Sequence, residues 1–155
     1  ADAVSIPVIA AGGIADGRGM AAAFMLGAKG VQLGTRFIAT EECWAHENYK
    51  NLVLKARDID TKVTGRSTGH PVRALRNQMT KQYLEMEEKG ASFEELELLT
   101  LGGLRKAVVD GDVKTGSVMA GQSAGLVKEK RTCKEVIESL VKETENLFKG
   151  AAFYE

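Results

Sequence analysis

Two glycine-centred pairs carry most of the chemistry in this sequence, Gly12-Gly13 and Gly34-Thr35. Glycine has no Cβ, so its backbone N–H can approach a phosphate oxygen that other residues would hold off. Successive amides in such turns make concave anion sites, and a helix beginning just beyond adds unpaired N–H donors at its positive end. Thr35 adds a hydroxyl to the second pair. Gly-Gly alone is usually a turn, but two such pairs, each closing a short apolar run, favour phosphate binding.

A second group lies in GRSTGHPVRALR, where Arg66, His70, Arg73 and Arg76 fall within twelve positions. Guanidinium forks suit phosphate oxygens. Two readings stand side by side: the group meets a phosphate, or the arginines cap helices and pair with the acidic run Glu85, Glu87 and Glu88. His46, in CWAHENYK, reads as a packing or surface residue at a helix start. The pairs Glu41-Glu42 and Glu94-Glu95 suit the positive ends of helices better than acid–base chemistry. Met20, Met25, Met79 and Met86 read as core, and Trp44 as a core or interface aromatic. Cys43 and Cys133 are too few and too far apart for a zinc site or a disulfide framework, so no metal ligands are assigned.

The elements that must position these residues follow from pattern. Ile6 to Ala11 (IPVIAA) is an unbroken apolar run, as in a parallel strand buried on both faces. Asp16 can cap a helix through Met20 to Leu26, and Gly27 stands where a left-handed residue ends it. Val31 to Leu33 is a second short strand. The three pieces make a βαβ unit with glycines at the carboxyl end of both strands. Beyond it, Ala45 to Ala56 reads as a helix, Ile59 to Thr64 as extended, and Gly65 to Pro71 as a loop. Val72 to Lys89 has helical spacing through Val72, Leu75, Met79, Tyr83 and Met86. Ser92 with Glu95, and Thr132 with Glu135, make capping boxes. Gly102 to Val109 reads as a short helix, and Gly116 to Val127 as a helix rich in small residues. Val136, Ile137, Leu140, Val141, Thr144, Leu147 and Phe148 line one face of the last helix.

Composition bounds the partners. The 155 residues are 44% hydrophobic, with 21 basic and 21 acidic side chains. Zero net charge argues against nucleic acid or an anionic membrane as the main partner. No apolar run reaches the roughly 20 residues a bilayer needs, and neither a signal peptide nor a cysteine framework is visible, which favours the cytoplasm. Two parallel strands cannot cover their own faces and edges, so further strands are expected upstream of Ala1.

The segment IPVIAAGGIADGRGMAAAFMLGAKGVQLGTRF resembles the signature of the enoyl-acyl-carrier-protein reductase II and nitronate monooxygenase family. KARDID (Lys55 to Asp60), GHPVRALRN (Gly69 to Asn77) and GDVKTGSVMAGQSAG (Gly111 to Gly125) agree in the same order, and are closer to the enoyl reductases. The likeness covers nearly the whole chain and fades in the last helix. It implies an α/β fold, the C-terminal part of a (β/α)8 barrel with a helical segment inserted after the last barrel strand. Residues 1–57 would be the last βαβ unit, 58–112 the inserted lid or interface segment, and 113–155 the helices returning to the barrel. It implies FMN, its phosphate held by Ala11, Gly12, Gly13, Gly34 and Thr35, with NADH or NADPH as reductant and a monovalent cation in some members. Reduction of an enoyl-acyl-carrier-protein is the implied reaction, and nitronate oxidation the runner-up. His70 and Arg73 fall in the insert, where they would meet a dinucleotide or the carrier's prosthetic arm. Gln122 would contact flavin or cation, or else its neighbours only permit close packing. The family's active-site His is expected upstream, in the missing N-terminal half, so neither His46 nor His70 inherits that role. A homodimer is expected, and the chain alone is expected to be inactive; the alternative from another class is a non-catalytic fragment that binds phosphate or assembles with a partner chain.

Overall fold

The computed structural model describes residues 1–150. Strand β1 (Ile9–Ala11) runs parallel to β2 (Gly30–Gln32), pairing Ile9 with Gly30, Ala10 with Val31 and Ala11 with Gln32. Helix α1 (Gly17–Met25) connects them. Asp16 caps it by accepting from the Gly19 amide at 3.0 Å, and Gly27 closes it at φ 95°. The strand is shorter than the apolar run from Ile6. It is also not buried on both faces: Ile6 is 71% and Ile9 54% exposed, because this sheet holds two strands among the described residues.

Helix α2 (Thr35–Ile38) follows β2 directly, and α3 (Glu47–Lys55) comes next. His46 caps α3, its Nδ1 accepting from the Asn48 amide at 3.1 Å. Lys50 on α3 is buried and donates to the Thr40 carbonyl at 2.8 Å and that of Glu41 at 3.4 Å. It thereby satisfies carbonyls that would otherwise be stranded after α2.

Strands β3 (Thr61–Thr64) and β4 (Val72–Leu75) form an antiparallel hairpin. Helical spacing from Val72 onward is therefore corrected: the helix, α4 (Gln78–Glu88), begins only after Asn77 caps it. Helix α5 (Phe93–Thr100) carries the Ser92–Glu95 capping box, and α6 (Gly103–Val108) follows. The stretch from Gly116 is a second correction. Residues 117–120 run extended beside β4, with Leu75 N–H bonded to Val118 O at 2.8 Å and Ala120 N–H to Arg73 O at 3.3 Å. Only Gln122–Leu126 turns, as a 3-10 helix. The small residues serve close approach, since a Cβ on Gly125 would lie 2.8 Å from the Asp58 amide nitrogen.

Helix α7 (Cys133–Gly150) is capped by Thr132 and Glu135, and by Glu42, whose carboxylate accepts from the Cys133 amide. It lies against α1 so closely that a Cβ on Gly17 would overlap Glu143. Val136, Leu140 and Thr144 of its apolar face are buried, while Ile137, Val141, Leu147 and Phe148 stay exposed. The main core joins residues from Ala15 to Val127, among them Ala39, Tyr49, Val53, Leu75, Ala107 and Val118. Met79, Tyr83 and Leu96 make a smaller core under α4 and α5. Trp44 is exposed, as is Met25. No helix among the described residues is long and apolar enough to cross a membrane.

Candidate phosphate site

The carboxyl end of β2 and the extended segment before Gln122 line the candidate cleft, while Gly12 and Gly13, in the turn after the neighbouring strand β1, line a separate space against α1. Gly12 and Gly13 have φ 101° and 76°, a region that side chains other than glycine's rarely adopt. Gly34 has an ordinary φ of −106°, so what glycine gives there is room rather than conformation. A Cβ built at Gly12, Gly13 or Gly34 would meet nothing within 4 Å. Ala11, the last residue of β1, precedes the turn and pairs with Gln32.

The donors differ from those expected. At the amino end of α1, the Gly17 amide donates to Glu143 Oε2 at 2.9 Å and the Gly19 amide to Asp16 Oδ1 at 3.0 Å. Two carboxylates thus occupy the end that was expected to receive an anion. Burial pushes the Asp16 carboxyl up, but the Gly19 amide and the Arg18 side chain together hold it below the ordinary value. The unclaimed donors belong instead to the short helix α2. Its Phe37 amide bonds to Gly34 O at 3.0 Å, while the amides of Thr35 and Arg36 have no partner among the described residues. Thr35 Oγ1 accepts from the Gly121 amide at 2.9 Å, which leaves its own proton free to donate outward.

Arg73 borders the same cleft, with Gly34, Thr35, Ala120 and Gly121. Its Nη1 donates to Thr61 Oγ1 at 2.9 Å, and it forms no ion pair among the described residues. The remaining guanidinium N–H groups make this cleft suited to a dianion. His70 is elsewhere. It lines a cavity on the other side of β4 with Thr64, Tyr83 and Met119, its ring centroid 6.0 Å from that of Phe93. Arg76 reaches Ile59 O at 3.4 Å beside Arg57 and Asp60, and Arg66 is exposed. The Arg–His group therefore does not gather at one point: only Arg73 lies on β4, while Arg66 and His70 precede it in the turn and Arg76 follows it. Nor does it pair with the acidic run: Glu85 meets Lys81 at 3.7 Å, and Glu87 accepts from Ser67 Oγ at 2.6 Å.

Sequence reasoning missed α2 as a donor and Tyr49 as a strut. Burial pushes the Tyr49 phenol up to about 12, so it stays protonated and donates to Met119 O at 2.6 Å. That bond fixes the segment leading to Gly121. A signal for α2 was present in the residues Thr35 to Ile38 directly after the strand, since barrel phosphate sites often add a short helix there. Tyr49 gave no local signal, for its partner is 70 positions away.

A family model described as nitronate monooxygenase matches residues 1–143. The chain is 34% identical over 146 residues to a probable nitronate monooxygenase of Staphylococcus saprophyticus, covering 94% of this chain and 41% of that one. A probable nitronate monooxygenase of Bacillus subtilis is 35% identical over 143 residues, covering 92% and 41%. Among solved structures, FabK from Thermotoga maritima superposes with a TM-score of 0.91 at 50% identity, over 96% of this chain and 47% of that one. A nitroalkane oxidase from Streptomyces ansochromogenes gives 0.76 at 30% identity, over 97% and 43%. The chain spans about half the length of the relatives it matches. These neighbours are TIM-barrel enzymes, and the α/β fold here is the C-terminal part of such a barrel.

Proposed function

Because the chain belongs to the nitronate monooxygenase family, we propose that it is the C-terminal half of an FMN-dependent oxidoreductase that reduces an enoyl-acyl-carrier-protein with NADH or NADPH. The observation that carries the cofactor reading is the open space at Gly34, with that at Gly12 and Gly13 in the turn of the neighbouring strand, beside the unclaimed amides of α2 and the outward-donating hydroxyl of Thr35. These groups fit a phosphate, and a carboxylate-lined or filled cleft would not. In this reading the amides of Gly13, Thr35 and Arg36 and the Thr35 hydroxyl hold the FMN phosphate, with Arg73 balancing its charge. Bound flavin would supply hydride transfer between the nicotinamide and the substrate double bond. This chain's part is to fix the cofactor at its phosphate end, so that the ring lies at one place relative to the upstream half.

The enoyl substrate is favoured by the 50% identity to FabK, an enoyl-acyl-carrier-protein reductase, against 30% to the nitroalkane oxidase at similar coverage. Nitronate oxidation is the second reading, favoured by the names of the curated relatives. A stopped-flow experiment separates them. The whole enzyme is reduced anaerobically with NADH or NADPH, then mixed with crotonyl thioester or, under oxygen, assayed with a nitronate. Rapid flavin reoxidation by the enoyl thioester is expected. No reoxidation by the thioester, with turnover of the nitronate, would overturn the reading.

A further inference from the structure

The cavity beyond β4 takes no part in the phosphate site, and its lining is specific. It has a volume of about 220 Å³ and is bounded by Val72, Ala74, Met79, Tyr83, Leu104 and Met119, among others. Thr64, Thr100 and Ser117 complete most of the remainder, and His70 adds an imidazole; among the described residues no carboxylate, lysine or arginine borders it. Two of the hydroxyls are already engaged, Thr64 Oγ1 with Val72 O at 3.4 Å and Thr100 Oγ1 with Glu97 O at 3.1 Å. The lining therefore favours an occupant that is mostly apolar. At about 30 Å³ per small group the space holds roughly seven, the bulk of a medium-length alkyl chain.

Its position ties it to the cleft. Val72 and Ala74 face the cavity, while Arg73 between them faces Gly34 and Thr35. Met119 borders both spaces and is 39% exposed. It pairs with Ala74 at the outer edge of the three extended segments, where its backbone is held by Tyr49. The cavity thus lies beside the cofactor cleft, with Met119 as the wall the two spaces share.

We propose that this cavity receives the alkyl tail of the acyl substrate and sets chain-length preference, with Met119 at its mouth. The inference rests on the enoyl-reductase reading for the identity of the substrate, but the cavity's preference for an alkyl tail is measurable without turnover. Two variants of the whole enzyme alter the space in opposite senses. Ala74→Leu fills it from a buried position on β4, and Leu104→Ala enlarges it. Affinities for butyryl- and octanoyl-pantetheine are measured by titration, and kcat/KM for the matching enoyl thioesters, with flavin content and melting midpoint as folding controls. Ala74→Leu is expected to lower the octanoyl-to-butyryl ratio at least tenfold in both measurements, and Leu104→Ala to raise the preference for longer chains. Should no enoyl thioester turn over while octanoyl binding still falls in Ala74→Leu, the reaction reading fails and the cavity assignment stands. Ratios that both folded variants leave unchanged overturn the assignment, whatever the turnover. If Ala74→Leu does not fold, Leu104→Ala alone decides between the same outcomes.

Discussion

Replacing Thr35 by Val in the whole enzyme removes one oxygen and keeps the shape; that oxygen makes one bond in the structure and has a proton left for a second. It accepts from the Gly121 amide at 2.9 Å, and its proton is free to donate to a bound phosphate. A hydrogen bond to a charged group contributes about 1.5–3 kcal/mol, so the FMN dissociation constant should rise by about ten- to 150-fold. The Gly121 amide loses its acceptor as well, which should loosen the segment that Tyr49 and β4 hold. Thr35→Ser retains both bonds and should bind FMN within about threefold of the parent. Flavin fluorescence titration of the apoenzyme, at one fixed ionic strength, reads these constants directly. A Val variant that binds FMN within twofold of the parent would refute the reasoning. So would a Ser variant as weak as the Val variant, because the effect would then not belong to the hydroxyl.

Lys50→Met keeps the buried stem but strands the Thr40 carbonyl, whose bond from Nζ is 2.8 Å. An unsatisfied buried acceptor costs about 1–3 kcal/mol, which should appear as a lower urea midpoint at unchanged slope. Stability should also fall on the acid side. The Thr115 hydroxyl and amide hold the Asp112 carboxyl below its ordinary value, the Arg57 guanidinium and amide do the same for Asp60, and the Thr132 amide and hydroxyl for Glu135. In each case the folded state binds its proton less readily than the unfolded one. The contribution is therefore complete above the ordinary values of about 3.9 for Asp and 4.3 for Glu, and is lost as pH falls through the depressed folded values. Urea midpoints measured from pH 6 down to pH 3 should decline; a flat profile would contradict these contacts.

Local signals carried much of this structure. The cap at Asp16, the left-handed stop at Gly27, and the boxes at Ser92–Glu95 and Thr132–Glu135 all lie within a few residues of the groups they satisfy, so sequence spacing exposes them. Val72–Leu75 misled because Val72, Leu75 and Met79 also fit a helical face. Its pairing partners, Thr61–Thr64 and the segment around Met119, lie far along the chain and override local preference. Gly116 to Val127 misled for a related reason. Small residues are tolerated in a helix, but here they allow backbone approach, as at Gly116, whose Cβ would fall 2.7 Å from the Ala107 amide nitrogen. At the site, the glycines were visible as types, whereas the donors were not. Glu143 is 126 positions from the Gly17 amide it occupies, and nothing near Gly17 in sequence announces that the α1 terminus is already taken.

The central claim is that Gly12, Gly13, Gly34 and Thr35 hold the phosphate of the flavin. Comparing FMN with riboflavin, in the whole apoenzyme and in its Gly34→Ala variant, tests it most directly. Gly34 has an ordinary φ and open space where a Cβ would stand, so the variant should fold with an unchanged melting midpoint while its methyl group intrudes where the phosphate belongs. The account predicts that the parent binds FMN at least a hundredfold more tightly than riboflavin, and that Gly34→Ala erases most of that difference while leaving riboflavin binding nearly unchanged. Equal affinity for the two flavins in the parent, or an undiminished FMN preference in a folded Gly34→Ala variant, would contradict it.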